Sequence, residues 1–156
     1  MTSSPYFSTN GQDYNSRLAD TLFTQANGPA WRRFLPVRFR PQERPLPTLS
    51  RQSENGMNTA SPAGVQRVAL EQVQGSVSQA RSQEFNADFR PVKNHLHDRW
   101  VRVAQASFQQ KVLPPVELVR VGDAYFVMDG HHRVSVAKTL GHDEILAQVT
   151  VWETVS

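Results

Sequence analysis

"LPPVELVRVGDAYFVMDGHHRVSVAKTLG", residues 113–141, carries two β-rich runs, a tight turn and an amphipathic run in immediate succession. Pro114 and Pro115 block any helix arriving from upstream, because proline has no amide hydrogen and restricts the residue before it. "VELVRV" and "AYFVMD" flank Gly122-Asp123, which predicts a β-hairpin. Beyond Asp129 and Gly130 the period changes. Val134, Ala137 and Leu140 recur at helical spacing, and Gly141 supplies a C-cap.

The flanking segments extend this pattern. "VQRVALEQV" (65–73) reads as a strand with Val68 and Leu70 on one face, ended by Gly75. "SQARSQEFNADFRP" (78–91) suits a loop crossing the domain. "VKNHLHDRWVRVAQASFQQ" (92–110) predicts a helix, since Leu96, Trp100, Val103 and Ser107 fall near one face. "EILAQVTVWE" (144–153) is a closing strand, and Trp100 and Trp152 are core candidates. The sum is an α+β domain over residues 65–156, a small mixed sheet with packed helices. Residues 36–64, with Pro36, Pro41, Pro45, Pro47 and Pro62 among Ser, Asn, Gln and Gly, read as a linker. Residues 1–35 form an N-terminal helical extension, in which Tyr14, Leu18, Leu22 and Ala26 stand four apart beside Phe23. Asp13 is its expected N-cap and Gly28-Pro29 its stop. An isolated helix of that length is marginal in water, so it should pack on the domain, on a partner protein or on a second copy.

The chain has 156 residues and a net charge of +3, and that charge is unevenly placed. Residues 1–60 carry seven arginines against four acidic side chains, whereas residues 61–156 balance ten against ten. Hydrophobic residues make up only 38%, with a mean hydropathy of −0.51, so part of the chain builds no core. The absence of cysteine excludes disulfides, thiolate metal ligands and thiol catalysis. No apolar run approaches the ~18 residues of a membrane span. The first residues lack the basic-then-apolar order of a signal peptide, and a cytoplasmic protein is expected.

Chemistry concentrates at "DGHHR", residues 129–133. A helix beginning after a glycine presents unpaired backbone N–H groups and the positive end of its dipole. Gly130 lets a ligand approach the main chain, and Arg133 can fork onto phosphate oxygens. His131 and His132 add donors, and charge if their pKa values are raised. These parts make an anion site. The plainer alternative is a structural staple, with Asp129 capping the helix and His132 and Arg133 bonded to neighbouring loops. A metal site is the weakest option, and none is assigned. His95 and His97 stand roughly 200° apart on a helix and do not converge on one ion. Asp98 is expected to pair with Arg102, one turn on.

Residues 113–141 resemble the core of the ParB/sulfiredoxin superfamily, with Pro115, Gly122, Asp123, Gly130, Arg133, Ala137 and Lys138 falling on its pattern, and the resemblance covers about residues 66–152. "QARSQEFN" resembles the Gln-Pro-Arg segment of partition proteins and places Arg81 as its arginine. Asp129, Gly130, His131 and Arg133 match the Asp-Gly-His-Thr-Arg signature of the free serine kinases, with His132 in place of threonine. The sulfiredoxin cysteine position is His131, which excludes that reduction chemistry. Partition proteins continue into a helix-turn-helix domain that residues up to Ser156 do not contain, so a complete partition clamp is not expected.

The resemblance implies phosphate or nucleotide binding by Gly130, His131, His132 and Arg133 with Arg81 nearby, and a nucleoside triphosphate with Mg²⁺ as the ligand. The leading expectation is a regulatory or DNA-associated nucleotide-binding module, in which the segment 78–91 orders over the ligand. One alternative is a small-molecule kinase or nucleotide hydrolase on the same turn, with Asp129 as the catalytic candidate. Another is a nucleic-acid-binding accessory protein. In "WRRFLPVRFR" (31–40), Arg32, Arg33, Arg38 and Arg40 would neutralise phosphates while the aromatics stack on bases.

Overall fold

A computed structural model describes residues 9–28, 44–49 and 57–154. Its elements are α1 (Thr9–Ala26), β1 (Met57–Ala69), β2 (Val73–Ser76), α2 (Gln79–Ser82), α3 (His97–Phe108), β3 (Val116–Val121), β4 (Ala124–Asp129), α4 (His131–Thr139) and β5 (Glu144–Thr154). The fold is α+β. Five strands form one mixed sheet in the order β1-β5-β3-β4-β2.

The hairpin of β3 and β4 is antiparallel, with Val121 opposite Ala124 across Gly122-Asp123. α4 then carries the chain over the sheet, and β5 returns parallel to β3 on its other side, pairing Leu118 with Val149. β1 lies antiparallel on the outer edge of β5, and β2 lies parallel on the outer edge of β4. Val116, Leu118, Val127, Ala147 and Val149 from the sheet are buried with Trp100 and Ala104 of α3 and Val134 and Ala137 of α4. Inside this layer Trp100 Nε1 donates to Ser135 Oγ at 2.9 Å, which ties α3 to α4.

Several expectations need correction. "VQRVALEQV" is not one strand. It breaks at a 3-10 turn over Leu70–Gln72, and its two halves lie on opposite edges of the sheet. The Leu70 N–H bonds to the Asp143 carbonyl at 2.8 Å, a tertiary contact that overrides a continuous β-like pattern. β1 starts at Met57, inside the stretch read as linker, and it tolerates Pro62 because an edge strand need not donate every N–H. A register shift between Pro62 and Gly64 absorbs the irregularity, with Gly64 at φ 77°. Residues 44–49 are also tied down: Leu46 and Leu49 are buried, and Thr48 bridges Ser76 of β2.

α1 begins at Thr9, so Asp13 lies within the helix rather than capping it. α1 packs on α3 through Ala19, Phe23 and Ala26, all buried, with the Phe23 ring 5.6 Å from that of Trp100. The segment 78–91 is not a plain loop. It holds α2 and then a turn in which Asn86 Oδ1 accepts the N–H groups of Asp88 (3.0 Å) and Arg90 (2.9 Å). Phe85 and Phe89 anchor that turn in the core. Trp152, expected in the core, is only half-buried.

Candidate functional site

β4 ends at Asp129, and the chain reverses into α4 at Gly130, which adopts φ 99° and ψ 27°. That conformation disfavours any residue with a Cβ, and the packing forbids one as well. A Cβ on Gly130 would stand 2.7 Å from Val116 Cγ1. Asp129 does not cap the helix, since no side chain accepts a bond there. Its Oδ2 instead accepts from Arg133 Nη2 at 2.9 Å. Arg133 Nη1 donates to the Pro114 carbonyl and, at 3.0 Å, to the Pro115 carbonyl. Arg133 is therefore a clasp that fastens the first turn of α4 to the strand entering β3.

The two histidines are interior groups, with 5% of His131 and 6% of His132 exposed. His131 Nε2 lies 2.7 Å from Ser76 Oγ, and its ring stacks on Phe85. His132 meets Phe85 edge-on at 5.4 Å. Burial first, then the nearby Arg81 guanidinium, pushes the His131 pKa down to about 4 against a smaller opposing pull from Asp129. Burial, followed by Arg99 and Arg81, pushes His132 down to about 4 as well. The values are lowered rather than raised, so the condition for added charge is not met and both rings are neutral at pH 7. His132 Nδ1 has no hydrogen-bond partner among the described residues.

Above this turn lies a cavity of about 390 Å³, inside the range of ~300–1,000 Å³ usual for small-molecule sites. Gly130, His131, His132 and Arg133 line its floor, and Arg81 and Ser78 come from the start of α2. Arg99 and Val103 face it from α3, and Leu113, Pro114 and Met128 complete the rim. The structure thus gathers all five residues assigned to phosphate at the sequence level, Arg81 included. Arg81 Nη1 also bonds Glu84 Oε2 at 2.8 Å. Burial of Glu84 works to raise its pKa, but the hydrogen bonds from Arg81 and His95 outweigh it and hold the carboxyl below its ordinary value. Arg99 has no acidic partner among the described residues.

Arg99 was not legible as a site residue. Its one signal is that Arg99 and Val103 stand four apart and so share a helix face. Asp98 does not pair with Arg102; its Oδ1 lies 2.9 Å from His97 Nδ1. His95 and His97 face different carboxylates, Glu84 and Asp20 respectively. Arg32, Arg33, Arg38 and Arg40 lie outside the described residues.

Chemically, besides the Arg133 clasp the cavity offers the guanidinium groups of Arg81 and Arg99, the first N–H groups of a nine-residue helix and a partly apolar rim. Its described lining includes one carboxylate, Asp129, already paired with Arg133. No helix of the described residues is long and apolar enough to cross a membrane. Comparison of the chain with protein-family models, with curated proteins and with solved structures gave no match.

Proposed function

We propose that this protein is a binding module for a phosphate-bearing ligand of nucleotide size, held in the cavity above Gly130. The observation that carries the reading is the convergence on the N-terminus of α4 of Arg81 and of Arg99, which has no acidic partner among the described residues. Guanidinium groups and helix-start N–H groups favour the same ligand, a polyanion, and favour it more strongly in a concave site than on open surface. The resemblance of residues 113–141 to the ParB/sulfiredoxin superfamily points the same way.

The roles divide differently from the sequence-level expectation. The backbone N–H groups of His131 and His132, with Arg81 and Arg99, would contact phosphate oxygens. Arg133 and Gly130 build the turn. Neutral His131 and His132 contribute shape and main-chain donors without charge. Asp129 fits a weak outer contact to a phosphate-bound Mg²⁺, but its pairing with Arg133 makes it a poor base. Binding is therefore favoured over phosphoryl transfer.

The test is calorimetric titration of the protein with ATP, CTP and GTP, with and without Mg²⁺, with released phosphate assayed in the same samples. Saturable binding without phosphate release supports a module. Turnover would instead assign the turn to an enzyme, and silence toward all three nucleotides would remove the reading.

A further inference from the structure

Apart from the ligand cavity, the most unusual polar arrangement joins the N-terminal helix to the domain. α1 is held by the buried Ala19, Phe23 and Ala26 and by a few polar contacts. Gln105 Nε2 donates to Ser16 Oγ at 2.9 Å, and Asn27 Nδ2 to Asn94 Oδ1 at 3.3 Å. Between these, His97, the first residue of α3, spans two carboxylates. Its Nε2 lies 2.8 Å from Asp20 Oδ1 of α1, and its Nδ1 lies 2.9 Å from Asp98 Oδ1 of α3. Carboxylate oxygens only accept, and a neutral imidazole carries one N–H. Only the imidazolium can donate to both at once. The Phe23 ring stands edge-on to His97 at 4.9 Å and 86°, so the clasp sits against the apolar seam. Among the described residues, Asp20 and Asp98 are the charged groups facing the ring, whereas His95 turns to Glu84.

We propose that His97 is a protonation-gated clasp: α1 is held on α3 while the imidazolium bridges Asp20 and Asp98, and loosens when the ring loses its proton. The inference stands independently of the ligand proposed above. The hydrogen bond to Asp98, partly opposed by burial and then reinforced by Asp20, raises the His97 pKa above its ordinary value of 6.5. A raised histidine stabilises the docked state fully below about pH 6.5, and that contribution disappears as pH climbs through the higher docked value. Release would uncover the apolar surface around Trp100. It would also remove Gln25 and Ala26, one wall of a cavity of about 500 Å³ whose other walls include Arg90 and Lys138. The side chains are 41%, 54% and 84% exposed for His97, Asp20 and Asp98, so solvent screens the clasp. Its effect is a shift in docking equilibrium on the order of 5-fold rather than an all-or-none switch.

Amide hydrogen exchange of the whole chain between pH 5.5 and 8.5 tests this, each amide being normalised to its intrinsic rate. Protection of α1 should fall about 5-fold relative to α4 between pH 6 and pH 8. In His97→Gln and in Asp20→Asn it should be low and independent of pH. Asp20 is exposed on α1, so its variant keeps the test readable even where His97→Gln disturbs α3. Wild-type α1 protection that does not change with pH, or a fall of the same size in Asp20→Asn, overturns the proposal.

Discussion

Ser76 Oγ lies 2.7 Å from His131 Nε2 in the protein interior, so the last residue of β2 is fastened to the first residue of α4. The same Ser76 oxygen accepts the Ser78 N–H at 2.9 Å, just ahead of α2 and Arg81. One hydroxyl thus ties together the two sides of the cavity, and the His131 side chain works as a strut. Ser76→Ala leaves a buried imidazole nitrogen and a loop N–H without a partner. A loss of about 1–3 kcal/mol in urea-derived stability is expected, together with weaker binding at the proposed phosphate site because Arg81 is no longer held in register. Full stability in the variant would contradict the strut.

Gly130→Ala should be among the most damaging single-methyl additions in the chain. Its φ of 99° lies where side chains are strained, and the new Cβ would meet the Val116 side chain at 2.7 Å. The combined cost is on the order of 2 kcal/mol or more, readable as a drop in Tm by circular dichroism. A variant that melts like wild type would mean that the turn is looser than its packing implies.

Two arginines separate folding from binding. Arg133→Ala removes bonds to Pro114, Pro115 and Asp129 and should lower stability by about 1–3 kcal/mol. Arg99→Ala removes an exposed side chain that has no acidic partner among the described residues and should leave stability within about 0.5 kcal/mol. Chemical denaturation of both variants checks this, and equal losses would contradict the division of roles.

The pKa values of the buried His131 and His132 are displaced in the opposite direction to that of His97. His131 and His132 are held near 4, whereas an unfolded chain titrates near 6.5. The unfolded state therefore binds protons first as pH falls, and stability is lost from about pH 6.5 down toward 4. His97 is displaced the other way and holds its proton above 6.5. Imidazole ring resonances followed by NMR should show two histidines still neutral at pH 5.5 and one still charged at 6.5. Five rings titrating together near 6.5 would refute the buried assignment.

What could be read from the sequence follows from where each signal resides. β3, β4, α4 and β5 each carry their own period and punctuation in Gly122-Asp123, Gly130 and Gly141, so local pattern sufficed. The break at Leu70 did not show, because no glycine or proline interrupts residues 65–73 and the cause is a hydrogen bond to distant Asp143. The burial of His131 and His132 was equally hidden, since Phe85, which covers both rings, arrives from another part of the chain. Arg99 carries no local signal in its own segment beyond the helix face it shares with Val103; it is the packing of α3 beside α4 that brings it to the same cavity as Gly130. The turn was visible as chemistry, but the division between residues that build it and residues that face its ligand was tertiary information.

The central claim is that Arg81 and Arg99 form an anion cavity with the start of α4. Its most direct test is calorimetric titration of CTP, ATP and inorganic pyrophosphate into wild type, Arg99→Ala and Arg81→Ala/Arg99→Ala at two salt concentrations. The predicted result is saturable wild-type binding that weakens with salt, falls about 10-fold in the single variant while its Tm is kept, and is lost in the double variant. Wild type that binds none of the three, or a double variant that binds as tightly as wild type, would contradict it.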